Sequence, residues 1–229
     1  MKPIRVVLAA IAMACLATIS THAADEPAQA PGVSFNGKTT YAEAARCESF
    51  DLEQFSVSAW AKFHQTNRPQ VLVNRGSAGS LFTLYLYENR IRMLVEYSPG
   101  RYTHANVAAP KPDTWVHYLG VYNGESIELF VDGLPAASQK APGRMPKSAA
   151  PLMIGAVTPG LRVLDGEIND VRVWNRALDA GEAAIVARRG AVAAGLIAQW
   201  TKDALDGEKW PSTAPASIAA RYLADPKIQ

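Results

Sequence analysis

The sequence predicts an all-β protein, an antiparallel sandwich or barrel, on three observations. Short apolar runs alternate with turn signals from Phe35 to Asn175. The run FSVSAWAKF (55–63) alternates strictly, with Phe55, Val57, Ala59, Ala61 and Phe63 on one side and Ser56, Ser58, Trp60 and Lys62 on the other. That period of two marks a strand with two unlike faces. Helical periodicity first appears after Asp179, so a helix enters only when the sheets are complete.

The remaining elements follow in order. VLVNRG (71–76) is a short strand ending in a turn. LFTLYLY (81–87) and IRMLVEY (91–97) are separated by Glu88-Asn89-Arg90, a hairpin-length gap. YSPGRYTH (97–104) is read as a loop. TWVHYLGVY (114–122) and SIELFVDG (126–133) flank Asn123-Gly124, a dipeptide that suits a turn with positive φ at both central residues. Asp132-Gly133 then turns the chain towards LPAASQK. PLMIGAV (151–157) and DGEINDVRVWN (165–175) close the set of strands. Asp179 is a good N-cap and Glu182 stands three residues on, a capping box. AAIVARR continues this short helix, which is expected to lie on the sheet through Ala184 and Ile185. Arg188 and Arg189 suit the negative end of its dipole, and Gly190 ends it. In the tail, GLIAQW (195–200) is one more apolar run. DGEKWPSTAPAS reads as loop, and IAARYLA (218–224) as a strand or a turn.

The ends of the chain carry other signals. Residues 1–23 combine Lys2 and Arg5 with an apolar run and small residues, the pattern of a secretory signal peptide cut after Ala23. The apolar run is shorter than the roughly 20 residues a membrane span needs, and no later segment is long enough, so the protein is expected not to span a membrane. AMAC offers a minor alternative, a lipoprotein anchored through Cys15. Residues 24–33, ADEPAQAPGV, read as a disordered leader. The expected organisation is therefore a signal peptide (1–23), a leader (24–33), a sandwich domain (34–190) and a C-terminal extension (191–229). Secreted or periplasmic localisation follows from it.

The chain has 23 basic and 21 acidic residues. The signal peptide holds Lys2 and Arg5 and no acid, so the exported part is neutral. Nothing clusters as a nucleic-acid partner requires. Cys47 is the only cysteine beyond the signal, which excludes an internal disulfide. It is expected to be buried and inert, or else to pair between chains.

FNGKTTYAEA (35–44), FSVSAWAKF (55–63), WVHYLGVYNGESIELFVDGLPAA (115–137) and GEINDVRVWNRALDAGE (166–182) stand in the order seen in bacterial laminin G-like domains. The chain resembles these members of the concanavalin A-like lectin and glucanase superfamily over about residues 34–189. The resemblance implies an antiparallel jelly-roll β-sandwich of two curved sheets, one face concave, with one short helix near the C-terminal end of the domain. Such domains usually begin with a strand of the type GLVAYWPLD before the FNG turn. Here the matching run, GLIAQWTKD, stands at the other end, at 195–203. An unfilled edge would leave unpaired backbone groups, so 196–200 is expected to complete the same sandwich, as in a circular permutant.

The chemistry points to binding. Hydrolases of this fold carry two glutamates on one strand, close enough for a retaining mechanism, and GEINDV has one Glu. Asp51 and Glu53 read as a solvated rim. His64, His104 and His117 share no metal-ligand spacing. No Gly-x-Ser-x-Gly elbow or phosphate loop is present, so no catalytic residue is assigned. The resemblance implies one structural calcium ion, held by Asp170 with main-chain oxygens at the Asn36-Gly37 turn. Tyr97, Arg101, Tyr102 and His104 form an aromatic and basic set where loops on a rigid scaffold carry function. Tyr85 and Tyr87 share one face of their strand and read as packing, as do Trp60, Trp115 and Trp174. The expected function is an exported, non-catalytic module for a glycan or an extracellular or periplasmic protein. The alternatives are a glycoside hydrolase-type enzyme and a structural component of a surface assembly.

Overall fold

The computed structural model describes residues 31–76, 81–216 and 218–224. The expected signal peptide and most of the expected leader lie outside the described residues. In chain order the elements are β1 (Val33–Asn36), β2 (Tyr41–Ala44), β3 (Phe55–Phe63), β4 (Gln70–Arg75), β5 (Phe82–Tyr87), β6 (Arg90–Ser98), β7 (Arg101–Ala108) and β8 (Trp115–Tyr122). They continue with β9 (Ser126–Val131), β10 (Leu134–Lys140), β11 (Leu152–Ile154), β12 (Asp165–Trp174), α1 (Ala180–Ala187), β13 (Leu196–Trp200), β14 (Lys209–Trp210) and β15 (Ala220–Leu223).

The strands form two antiparallel sheets in a jelly-roll sandwich. Among the described residues, the first sheet runs β1-β12-β3-β8-β9-β10, with β13 also on β12. The second runs β14-β15-β2-β11-β4-β5-β6-β7. The alternation in β3 has the expected outcome: Phe55, Val57, Ala59, Ala61 and Phe63 are all sealed in the core. Phe82, Leu84, Leu86, Ile91, Met93 and Val95 face them from β5 and β6. The rings of Phe55 and Phe82 stack at 4.5 Å between the sheets. Gly120 on β8 makes room for Met93, since a Cβ there would lie 2.6 Å from its sulfur.

The hairpins use different turn chemistry from one another. Glu88 and Asn89 both take positive φ, 50° and 56°, between β5 and β6. Asp132 and Gly133 do the same, at 50° and 81°, between β9 and β10. Asn123-Gly124 departs from expectation, because only Gly124 is left-handed. Asn123 instead accepts the backbone N–H groups of Glu125 and Ser126 at 2.9 and 2.8 Å, an Asx turn in a longer connection. LPAASQK, beyond the second turn, forms β10 on the edge of the first sheet.

The helix carries both hydrogen bonds of its capping box: Glu182 N to Asp179 at 2.8 Å, and Asp179 N to Glu182 at 3.1 Å. It packs on the outer face of the first sheet through Ala183 and Val186, against Leu119, Val121, Phe130, Trp174 and Leu178. The expected contact through Ile185 is corrected, since Ile185 is 47% exposed. AAIVA is apolar on every side, so its composition does not choose the buried face.

The two ends of the described chain meet along one edge. β1 pairs with Asp165–Ile168 and β13 with Val171–Trp174, so they share the same side of β12 end to end. Val33 pairs with Ile168 and the Pro31 carbonyl accepts from Asn169, so the last residues of the expected leader belong to the sandwich. The tail reaches the second sheet as well, where β15 pairs with β2. The stretch read as loop contributes β14, and its Trp210 is fully buried. The indoles of Trp174, Trp200 and Trp210 donate to the carbonyls of Val192, Ile218 and Thr201 at 2.8, 3.1 and 2.7 Å. Each buried N–H is thus satisfied.

Candidate functional site

The acidic stretch of β12 is a structural junction. Asp170 stands at the break between β1 and β13, with φ 53°. Its carboxylate accepts Arg172 Nε and Nη2 at 2.8 and 2.6 Å, and Gln199 Nε2 at 2.8 Å. Arg172 also donates to the carbonyls of Gly190 and Arg189 at 2.6 and 3.4 Å. These carbonyls just beyond α1 would otherwise lack partners. Asn169 donates to Pro31 O and accepts from Lys202 N, which ties the approaches to β1 and β13 together.

This geometry corrects the calcium expectation. Asn36 and Gly37 stand at the other end of β12, where Asn36 pairs with Asp165. Five residues of strand separate Asp165 from Asp170, about 17 Å. Asn36 Oδ1 is taken by the N–H groups of Lys38, Thr39 and Thr40. Asp170, 3% exposed, is neutralised by Arg172. These three residues do not fit a calcium ion.

The segment read as a loop is largely strand. Residues 97–104 form the end of a hairpin, β6 to β7, turning at Pro99-Gly100. A strand sends alternate side chains to opposite faces, so the four candidates divide. Tyr97 packs towards the core, and the Arg101 guanidinium lies 5.3 Å from its ring. Tyr102 and His104 pair with Glu96 and Leu94 and share their outer face. Tyr102 lies beside the Glu96 carboxylate.

His104 instead joins a cluster that the sequence did not assemble. On the outer face of the second sheet, Tyr85 pairs with Arg92, and Arg92 with Asn106. Tyr85 and Tyr87 have ring centroids 6.3 Å apart. Two guanidiniums lie against the Tyr87 ring, Arg92 at 4.9 Å and Arg162 at 5.6 Å. Arg92 donates to Glu88 at 2.6 Å and stands opposite Tyr85, while its buried Nε has no partner. Burial pushes the Tyr85 hydroxyl above its ordinary pKa. Burial, with Arg92 nearby, holds His104 below the usual imidazole value, so it is neutral at pH 7.

Arg162 comes from the connection between β11 and β12, which lies across the outer face as a strap. Val71 N donates to Arg162 O at 3.0 Å. Val157 packs on Val71 and Tyr85, while Ala156 and Val163 pack on Tyr41 and Met153. The strap covers the middle of this face and leaves the β5–β7 side open. There the exposed Arg162 and Arg90, the half-buried Tyr87 and Asn106, and His104 form one surface. Arg90 donates to Asn106 at 3.1 Å.

Two glutamates of this face, on β2 and β6, lie far apart. Glu43 on β2 and Glu96 on β6 are separated by four strand spacings, about 19 Å. Paired glycosidase carboxyls lie within roughly 5–10 Å of each other.

A family model described as the Concanavalin A-like lectin/glucanases superfamily, Laminin_G_3, matches residues 36–184. No curated protein matches the chain. Among solved structures, a candidate carbohydrate-binding protein from Bacteroides ovatus is similar, with a TM-score of 0.65 and 13% identity over 84% of this chain. This chain spans only 58% of that protein. The CBM40 of a Ruminococcus gnavus IT-sialidase, bound to α2,3 sialyllactose, gives a TM-score of 0.55 at 17% identity, covering 69% of this chain and 97% of its own. The binding domain of botulinum neurotoxin serotype D gives 0.58 at 15% identity, covering 69% of this chain and 43% of that one. At these identities the likeness is one of fold.

Proposed function

The chain belongs to the Laminin_G_3 family of the concanavalin A-like lectin/glucanases superfamily, and on that premise we propose that it is an exported, non-catalytic module that binds glycans. The ligand surface is the open part of the second sheet's outer face, around Tyr87, Arg92, Arg162 and His104. One observation carries this reading: two guanidiniums flank a single tyrosine ring, at 4.9 and 5.6 Å, on a face the strap leaves open. The ring holds both arginines by cation–π attraction; Glu88 engages Arg92, and the exposed Arg162 keeps its N–H groups for a ligand. A planar fork of donors suits carboxylate oxygens, so the preferred glycan carries an acidic sugar. The similarity to a sialyllactose-bound CBM40 supports this choice. No calcium enters this reading. The signal-like residues 1–23 support an exported module, in the periplasm or beyond.

A glycan array of the full chain tests the proposal. Acidic glycans should bind in preference to neutral ones, and Arg162→Ala should weaken that binding at least tenfold. Binding confined to neutral glycans, or unchanged in Arg162→Ala, would refute the assignment.

A further inference from the structure

The outer face of the first sheet, on the opposite side of the molecule, has a separate polar cluster beside the end of α1. Trp60 on β3 pairs with His117 on β8, and their rings are 5.5 Å apart. Ser58 stands two residues before Trp60 on the same side of β3. The Arg189 guanidinium lies 5.1 Å from the Trp60 ring. Four polar atoms here are buried without a hydrogen-bond partner: Ser58 Oγ, Trp60 Nε1, His117 Nδ1 and Arg189 Nη2. Unpaired buried polar atoms are rare in a native fold, and each costs free energy comparable to a lost hydrogen bond. Four in one neighbourhood call for a common partner.

The chemistry of the set selects that partner. Trp60 Nε1 and Arg189 Nη2 can only donate, and the Ser58 hydroxyl can donate as well. Asp170 and Arg172, which act on His117, neutralise each other as a two-bonded pair. Arg189 has no carboxylate within ion-pair reach among the described residues. One positive charge with several neighbouring donors matches one negative charge spread over two oxygens. Trp60 and Arg189 are half-buried, so the cluster is open to solvent on one side. We infer that Trp60, Arg189, Ser58 and His117 form a second binding site, for a small carboxylate. It lies on the opposite sheet from the glycan surface and stands or falls independently of it.

Acetate is the test ligand, added to the full chain at pH 7 and constant ionic strength, with the Trp60 indole N–H followed by proton–nitrogen NMR. Trp60→Phe identifies the resonance. A saturable shift at millimolar acetate is expected, with none for neutral acetamide, and Arg189→Gln should weaken the titration at least tenfold. The inference is overturned by no saturable shift, by an equal response to acetamide, or by an unchanged titration in Arg189→Gln. The comparison of acetate with acetamide decides even if Arg189→Gln does not fold.

Discussion

Asp170 shows how one residue type can serve two chemistries. A carboxylate at a sandwich corner suits a metal ion, and it suits an arginine equally well. Arg172 stands two residues on and was the signal in the sequence that could have separated them. With both side chains buried, removing one partner strands the other's charge. Asp170→Ala should therefore cost about 3–5 kcal/mol in chemical denaturation. A chelator should leave the wild-type melting temperature unchanged, and a clear drop would restore the calcium reading. His117 gives a pH signature. Burial pushes its pKa from 6.5 down to about 3, with Asp170 opposing and Arg172 and Arg189 adding to the fall. The unfolded chain then takes up a proton that the fold refuses. The stability contribution is complete above pH 6.5 and is lost as pH falls towards 3. Between pH 7 and 5 the loss should be roughly 2 kcal/mol. Urea unfolding at those two values should show the slope in the wild type and lack it in His117→Gln.

At the scale of elements, legibility followed burial. β3 could be read from its sequence because its core face is wholly apolar and its other face carries Ser56, Ser58, Trp60 and Lys62, so the pattern is written in its residues. β10 could not, because LPAASQK is exposed along most of its length and is held by backbone bonds to β9. Pro99-Gly100 made the β6–β7 hairpin look like a loop, although the polar residues beyond it were one outward face of a strand. The capping box was visible because Asp179 and Glu182 act locally; Asp179→Ala should cost about 1 kcal/mol. The site was legible only in fragments. His104 and the tyrosines were visible, but Arg162 reaches Tyr87 from a distant connection, and no local period encodes such a contact. The close approach of β3 to β12 is another nonlocal constraint. A Cβ on Gly166 would lie 2.0 Å from the Lys62 carbonyl oxygen, a backbone atom. Gly166→Ala should lower stability by about 1–3 kcal/mol or more, seen as a lower urea midpoint.

For the whole molecule, the sandwich offers two unlike outer faces. One is capped by α1 and knitted at the junction of the chain's two ends. The other is crossed by a strap that frames an arginine-rich surface beside two tyrosines. The account assigns glycan recognition to that second face. Isothermal titration of an acidic oligosaccharide into the full chain, with Tyr87→Ala in parallel, tests this most directly. The account predicts saturable binding by the wild type and at least tenfold weaker binding by a folded Tyr87→Ala. Equal affinity in the two proteins, or release of reducing ends from the oligosaccharide, would contradict it.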